Sequence, residues 1–578
     1  MSIEARLKQR LAPRLARLYG DRAAECLEKI LTVVRRFGPG LSARPGPLWD
    51  ERDVVLITYG DQVRSPGIHS LSALGLFLEE AGLDKLLSTI HLLPFFPYSS
   101  DDGFSVIDYC TVDPSLGDWS DIRRLGESYA LMFDLVLNHV SRQSRWFADY
   151  LAGREPYTRY FIELQPEADI SSVTRPRSGP LLTPVETSRG RRHLWTTFSP
   201  DQIDLNFAEP DVLVEIVGVL LFYLEQGARI IRLDAIAYLW KELGTPCIHL
   251  PQTHEVVKVL RGLVDELAPG TILLTETNVP HEENFSYFGN GDEAQMVYQF
   301  SLAPLLLEAL LSGDGRLLVD WLDSLEPTPP GTTVFNFTAS HDGIGVRPLE
   351  GIMPPNRHER LIEAVEARGG YVSMKRNADG TDSPYELNIT YSSALADTRQ
   401  SADSAFDVPR FLASQALMLS MRGIPGVYFH SLVATPNDTA GVERTGRARS
   451  INRRKLDLAE LRSAVVKTGA AAACAPARVF EAYRRLLAVR IAQPAFHPEA
   501  EQQVVRLGSP SLVGFIRTSL DRQQRILVLG NLGPRAETFD IPSSIDPSCP
   551  TDLLSTTKQP LNTPTVTLAP YQVAWVVV

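Results

Sequence analysis

ARIIRLDAI, residues 228–236, is an apolar run of β-type text that closes on two charges, Arg232 and Asp234. Side chains alternate along a strand, so residues 232 and 234 project from the same face. A charge inside an apolar strand is costly unless it is paired. The spacing therefore predicts a guanidinium beside a carboxylate, and an Asp234 whose pKa is depressed, as a nucleophile requires.

Seven further runs share this texture: VVLITYG from Val54, TIHLLPFFP from Thr89, YALMFDLVLNHV from Tyr129, TILLTETN from Thr271, AQMVYQF from Ala294, TTVFNFTASHD from Thr332 and GIPGVYFHS from Gly423. Helical text separates them. Strands alternating with helices imply right-handed βαβ units around a parallel sheet, and eight of them suggest a closed α/β barrel of the (β/α)8, or TIM, type. Near-continuous apolar text such as LLPFF suits strands buried on both faces. Two long insertions break the alternation, one after the third strand (161–207) and one after the seventh (346–405). Insertions after barrel strands sit on the catalytic face and are expected to enclose substrate.

The barrel is expected to occupy residues 51–160 and 208–500, around the inserted domain at 161–207. Residues 501–578 alternate short strand runs (VVRLG, SLVGFIRT, RILVLGNL, VAWVVV) with turns, which predicts a C-terminal antiparallel β domain. Residues 1–50 read as an N-terminal helical extension. Leu7, Leu11, Leu15 and Leu18, then Leu27, Ile30, Leu31 and Val34, recur at helical spacing before the Gly/Pro-rich linker FGPGLSARPGP. Two helices packed on the outside of the barrel are expected.

Composition excludes several classes of function. A net charge of −12 argues against a general nucleic-acid binder, which needs clustered Lys and Arg. Five scattered cysteines without metal or redox spacing suit reduced thiols in a cytoplasm. The charged N-terminus has no apolar core of a signal peptide, and no run is long and apolar enough to span a bilayer. The expected partners are therefore small-molecule substrates, with neither nucleic acid nor membrane. Oligomeric state is not legible.

The strand ends carry the chemistry. Asp134, Asn138 and His139 end the third strand, Arg232 and Asp234 the fourth, Glu276 and Asn278 the fifth, and His341 and Asp342 the seventh. One isolated carboxylate is best explained as a buried salt bridge or a helix cap. Three carboxylates at three strand ends instead match a glycosidase set: a nucleophile, an acid/base and a group binding sugar hydroxyls. A metal site is the weaker functional reading, since paired histidines and Asp-rich loops are missing.

FDLVLNH, IIRLDAI, ILLTETN and FTASHDGIGV resemble, in order, the four signature regions of the α-amylase superfamily of glycoside hydrolases. The resemblance runs from about Glu51 to the C-terminus. It implies Asp234 as nucleophile, Glu276 as general acid/base and Asp342 as transition-state stabiliser. LITYGDQ, SSDDGFSVIDY, TTFSPDQIDLNF, SHDGIGV and GRARSINR are similar to the sucrose phosphorylase branch. By that likeness Asp101 and Arg449 would hold the far edge of a glucose ring. Phe104, His139, Phe198, Gln202, Arg232 and His341 would line the rest, with Tyr238 beside the nucleophile. Arg177, in TRPRSGPLLTP, matches the arginine that approaches phosphate. Plain core packing is an equally good account of Phe104, Phe198 or Tyr238 taken singly. The implied chemistry is double displacement through a β-glucosyl enzyme, with retention and without a cofactor.

On the acceptor side the chain departs from ordinary sucrose phosphorylases. Asn278 stands where those enzymes have His, and Glu386 beside Tyr385 where they have Gln. The N-terminal extension, SPYELN and TETNVPHEENFSYFG look more like the glucosylglycerate phosphorylases of the same branch. Glycerate is an anion, which Arg177, Lys375 or Arg376 would neutralise, and Glu386 would oppose it unless paired. Sucrose or sucrose 6′-phosphate phosphorolysis is the first alternative, and glucosylglycerol phosphorolysis or α-glucoside hydrolysis follow. A catalytically dead carbohydrate-binding barrel would be expected to have lost one of the three carboxylates, and all are present.

Overall fold

A computed structural model describes residues 1–377, 379–397, 407–465, 474–542, 545, 551–555 and 565–578. Parts of the 346–405 insertion (378 and 398–405), and Cys549, lie outside the described residues. The eight runs form the eight strands of a closed parallel barrel: β1 (Val55–Thr58), β2 (Thr89–Leu92), β3 (Ala130–Val136), β4 (Ala228–Asp234), β5 (Ile272–Thr275), β6 (Met296–Tyr298), β7 (Thr333–Phe337) and β8 (Ile424–Tyr428). Each strand pairs with its sequence neighbours, and β1 closes the ring on β8. Strand burial is nearly complete, as the continuous apolar text requires.

Register sets the positions of the charges. Arg232 of β4 pairs in register with Asp134 of β3, and Asp234 with Val136. On the other side Leu233 lies opposite Thr275, which puts Glu276 just beyond the end of β5. The ends that hold Asp234 and Glu276 are therefore level with each other.

The inserted domain after β3 contributes a three-stranded antiparallel sheet (Glu163–Leu164, Leu182–Thr187, Gly190–Trp195). The insertion after β7 contributes another (Ile344–Gly345, Tyr371–Arg376, Asp382–Asn388). An isolated backbone bridge between Arg175 and Arg376 joins the two insertions over the barrel mouth.

The C-terminal domain is antiparallel, but its first strand is Glu501–Val504, ending where VVRLG begins. Polar Glu501, Gln502 and Gln503 pair with the strand Leu512–Thr518, and backbone hydrogen bonding there outweighs the apolar pattern.

Two N-terminal helices, α1 (Ile3–Tyr19) and α2 (Ala23–Phe37), lie against two barrel helices, α3 (Pro210–Glu225) and α4 (Pro251–Leu267). The apolar stripe of Leu7, Leu11 and Leu15 is fully buried, and Ile30 and Leu31 are too. That stripe is spent on the barrel, so it is not a coiled-coil surface. Gly262 of α4 explains itself here, because a Cβ would stand 3.1 Å from a Leu11 methyl. A mid-helix glycine costs about 1 kcal/mol relative to Ala, and close approach of α1 offsets it. Ion pairs flank the seam: Arg6–Glu266 at 2.7 Å, Arg14–Asp292 at 2.8 Å and Lys29–Asp211 at 2.6 Å.

Leu11→Ala is expected to destabilise by about 2–5 kcal/mol, because it empties a site the fold cannot refill. Leu76→Ala, at an exposed position, should fall within about 0.5 kcal/mol of the parent. Equal denaturation midpoints for the two variants would contradict this packing.

Candidate active site

The C-terminal ends of the strands converge on one cavity of about 710 Å3, including its open mouth. Asp234, Glu276 and Asp342 all line it. So do Asp101, Phe104, His139, Arg177, Phe198, Gln202 and Arg232, and also Tyr238, Asn278, His341, Tyr385, Glu386 and Arg449. Lys375 does not. It is ion-paired with Glu350 at 3.0 Å, and Arg376 is engaged by Asp382 at 2.5 Å. Both lie on the strand that bridges to the other insertion, outside the pocket lining.

At the floor, Arg232 Nη1 donates to Asp234 Oδ1 at 2.7 Å and to Asp134 Oδ1 at 2.5 Å. Its Nε donates to the Tyr298 hydroxyl at 3.1 Å, and its Nη2 lies 3.8 Å from Glu276 Oε2. Behind it His91 Nε2 stands 2.7 Å from Asp134 Oδ2, both wholly buried. One guanidinium thus lies within reach of both Asp234 and Glu276. The Arg–Asp pair foreseen from the two-residue spacing exists, but its electrostatic consequence differs. Burial is the largest influence and pushes Asp234 up to about 7, against the pull of Arg232. The cation is shared with Asp134, and this dilutes its effect on Asp234.

Glu276 is likewise pushed up to about 7, by burial first and then by the charges of Asp234 and Asp342. The two carboxyls titrate as a pair. Asp234 accepts a direct guanidinium hydrogen bond, while Glu276 accepts only the Ala235 backbone N–H at 3.0 Å. The guanidinium therefore favours the charged form of Asp234 over that of Glu276. Asp342 behaves oppositely. Burial pushes it up, but Arg449 at 2.7 Å, with Arg453 at 3.7 Å, outweighs burial and holds it well below the usual carboxylate range. Three neighbouring carboxyls thus occupy two protonation regimes.

Aromatic rings make the walls. His341 stacks on Phe104 with centroids 4.7 Å apart, and Phe198 stands edge-on to Tyr238 at 5.6 Å. Burial pushes both His139 and His341 below the ordinary imidazole value, so both are neutral hydrogen-bonding groups. Gln202 links Asp101, at 3.4 Å, to the Phe104 carbonyl and to His139.

On the outer side Glu386 is paired: Arg449 holds it at 2.5 and 3.1 Å. Asn278 packs against Gly345, where a Cβ would stand 2.5 Å from the amide oxygen. That oxygen is buried with no protein partner. Arg177 lies over the rings of Phe198 (5.9 Å) and Tyr385 (5.4 Å). Among the described residues it is the pocket cation without an ion pair, since Arg232 and Arg449 are both engaged.

Four contributors were not singled out from the sequence. His91 carries a signal, a histidine inside the apolar run TIHLLPFFP. Arg453 ties Asp102 at 2.6 Å, and Lys241 ties Asp204 at 2.8 Å. Arg453 ends the quoted motif GRARSINR, whereas Lys241 and Phe300 sit in unremarkable local text. Among the described residues no group of three or more His, Cys, Asp or Glu side chains is arranged for a metal, and no helix is long and apolar enough to cross a membrane.

Residues 81–318 match the family model for the α-amylase catalytic domain. A glucosylglycerate phosphorylase from Spirochaeta thermophila is 48% identical over 506 residues, 87% of this chain and 84% of that protein. A sucrose phosphorylase from Agrobacterium vitis is 32% identical, over 72% of this chain and 86% of its own length. Among solved structures, that of sucrose 6F-phosphate phosphorylase from Thermoanaerobacter thermosaccharolyticum superposes with a TM-score of 0.73 at 26% identity, covering 90% of this chain and 98% of that one.

Removing the negative charge of Asp234 should lower the Glu276 pKa, because a charge that opposes its ionisation is gone and Arg232 is released to it. Carboxyl 13C NMR of Asp234→Asn should show Glu276 titrating below the value near 7 of the parent. An unchanged titration would mean that the two groups are not coupled.

Proposed function

The chain belongs to the α-amylase family, in the group that holds the glucosylglycerate and sucrose phosphorylases, and on that premise we propose that it is a retaining phosphorylase of 2-O-α-D-glucosylglycerate. It is a glycosyltransferase that yields α-D-glucose 1-phosphate and glycerate. Asp234 attacks the anomeric carbon from the face opposite the leaving group. The glycosidic C–O bond breaks, its electron pair stays on the glycerate oxygen, and Glu276 supplies the proton. Asp342, held anionic by Arg449, binds the ring hydroxyls and favours positive charge developing on the sugar. A phosphate oxygen then attacks the same anomeric carbon, displaces Asp234 and returns a proton to Glu276.

The observation that carries phosphorolysis over hydrolysis is Arg177. Phosphate must approach a pocket lined by five carboxyls, those of Asp101, Asp234, Glu276, Asp342 and Glu386. An unpaired guanidinium on the outer wall is the group suited to draw an oxyanion in. Glycerate as acceptor is supported by the greater identity to the glucosylglycerate enzyme. Pairing of Glu386 with Arg449 supports it too, because it removes the anionic obstacle. Asn278 lines the same pocket and offers a neutral amide on the acceptor side.

Phosphorolysis of glucosylglycerate, sucrose, sucrose 6′-phosphate and glucosylglycerol should be measured side by side. Glucose 1-phosphate is expected from the first and only when phosphate is supplied. Preference for another glucoside reassigns the acceptor, and equal glucose release in phosphate-free buffer makes the protein a hydrolase. Asp234→Ala should lose roughly 10⁴-fold or more in kcat while staying folded, and Arg177→Ala should raise the phosphate KM more than it lowers kcat. As Glu276 must be protonated to act, kcat/KM should fall as pH rises through its value near 7. An alkaline limb that persists unshifted in Glu276→Gln would assign that limb to another group.

A further inference from the structure

The catalytic cavity opens outward into a second groove, sharing Asp101, Arg177, Phe198, Gln202 and Arg449 with it. Beyond the shared wall the groove carries Arg142 and Arg447. Both are exposed, and neither side chain makes an ion pair with a described residue. Arg142 directly follows the strand His139–Ser141, and its backbone N–H is held by the Asp201 carbonyl at 3.0 Å. Arg447 follows Gly446, whose left-handed φ of 67° ends the helix Thr439–Thr445 and turns the chain back to the mouth. The two arginines thus reach the groove from opposite ends of the chain.

Two carboxylates, Asp101 and Asp201, line the groove. Asp201 accepts from Ser99 at 2.5 Å and Ser105 at 2.9 Å, and also from Ser100. Asp101 lies 4.0 Å from Arg453, which also binds Asp102. Five arginines (Arg142, Arg177, Arg447, Arg449 and Arg453) line the groove against these two aspartates, so its lining is cationic on a chain whose net charge is −12.

We propose that Arg142 and Arg447 form an anion-staging site outside the catalytic pocket, taking inorganic phosphate and small carboxylates before they pass to Arg177. The inference rests on the phosphorylase assignment, under which both substrates and both products are anions. A local cationic patch raises the concentration of such ions at the entrance and speeds their capture against an overall repulsive field. Exposed charges act over about 8 Å at physiological salt, so the effect belongs to low ionic strength.

The test uses the full chain with Arg142→Gln, Arg447→Gln and the double substitution, assayed with inorganic phosphate at about 0.02 M and about 0.3 M salt. The double variant should lose about three- to tenfold in kcat/KM for phosphate at low salt. It should converge on the parent at high salt, with kcat at saturation held, and Arg142→Lys with Arg447→Lys should restore most of the loss. Hydrolysis of α-D-glucosyl fluoride, an uncharged donor, should be the same in all of them. Loss of equal size at both salts, an equal fall with the uncharged donor, or no loss at all would overturn the staging site while parental phosphorolysis stands. A parent that makes no glucose 1-phosphate would instead overturn the phosphorylase assignment, and the staging site with it.

Discussion

A single buried guanidinium organises the floor of the site. Arg232 is 2% exposed and bonds to Asp134, Asp234 and Tyr298 while facing Glu276. An unpaired charge at that depth is untenable, and removing one partner of such a network costs about 3–5 kcal/mol. The strands must therefore keep the register that sets Arg232 against Asp134. That register also fixes where Asp234 and, across β5, Glu276 leave the sheet. The strand register thus sets the spacing of the two carboxyls.

Burial then does the chemical sorting. Without it, three neighbouring carboxyl groups at neutral pH would all be anions. Desolvation lifts Asp234 and Glu276, whereas Asp342, with Arg449 and Arg453 close by, stays charged. Arg232 decides which of the lifted pair keeps the proton. The two carboxyls differ by one direct hydrogen bond to that guanidinium.

The barrel was legible because each strand is a short apolar run and the period is regular. The catalytic carboxylates were legible because charge at the end of such a run is conspicuous. Two kinds of information were not. The pKa of Asp234 depends on how many anions share Arg232, and that is set by register between strands about a hundred residues apart. The place of Lys375 depends on how the 346–405 insertion folds to pair it with Glu350 outside the pocket lining, which no local pattern announces. His91 was passed over although its setting resembled that of Asp234, since an imidazole in an apolar strand is easily read as filler. The C-terminal strand at Glu501–Val504 was misplaced because edge pairing does not need apolar side chains.

The N-terminal helices bear on the site through mechanics. They grip α3 and α4, which lead directly into β4 and β5, the two strands that deliver Asp234 and Glu276. A barrel behaves as a hoop, and its weakest mode is a change in spacing between adjacent staves. Here a splint riveted by several ion pairs spans the gap between the two staves that end in Asp234 and Glu276. The appendage thereby clasps together the two βα units that end in Asp234 and Glu276.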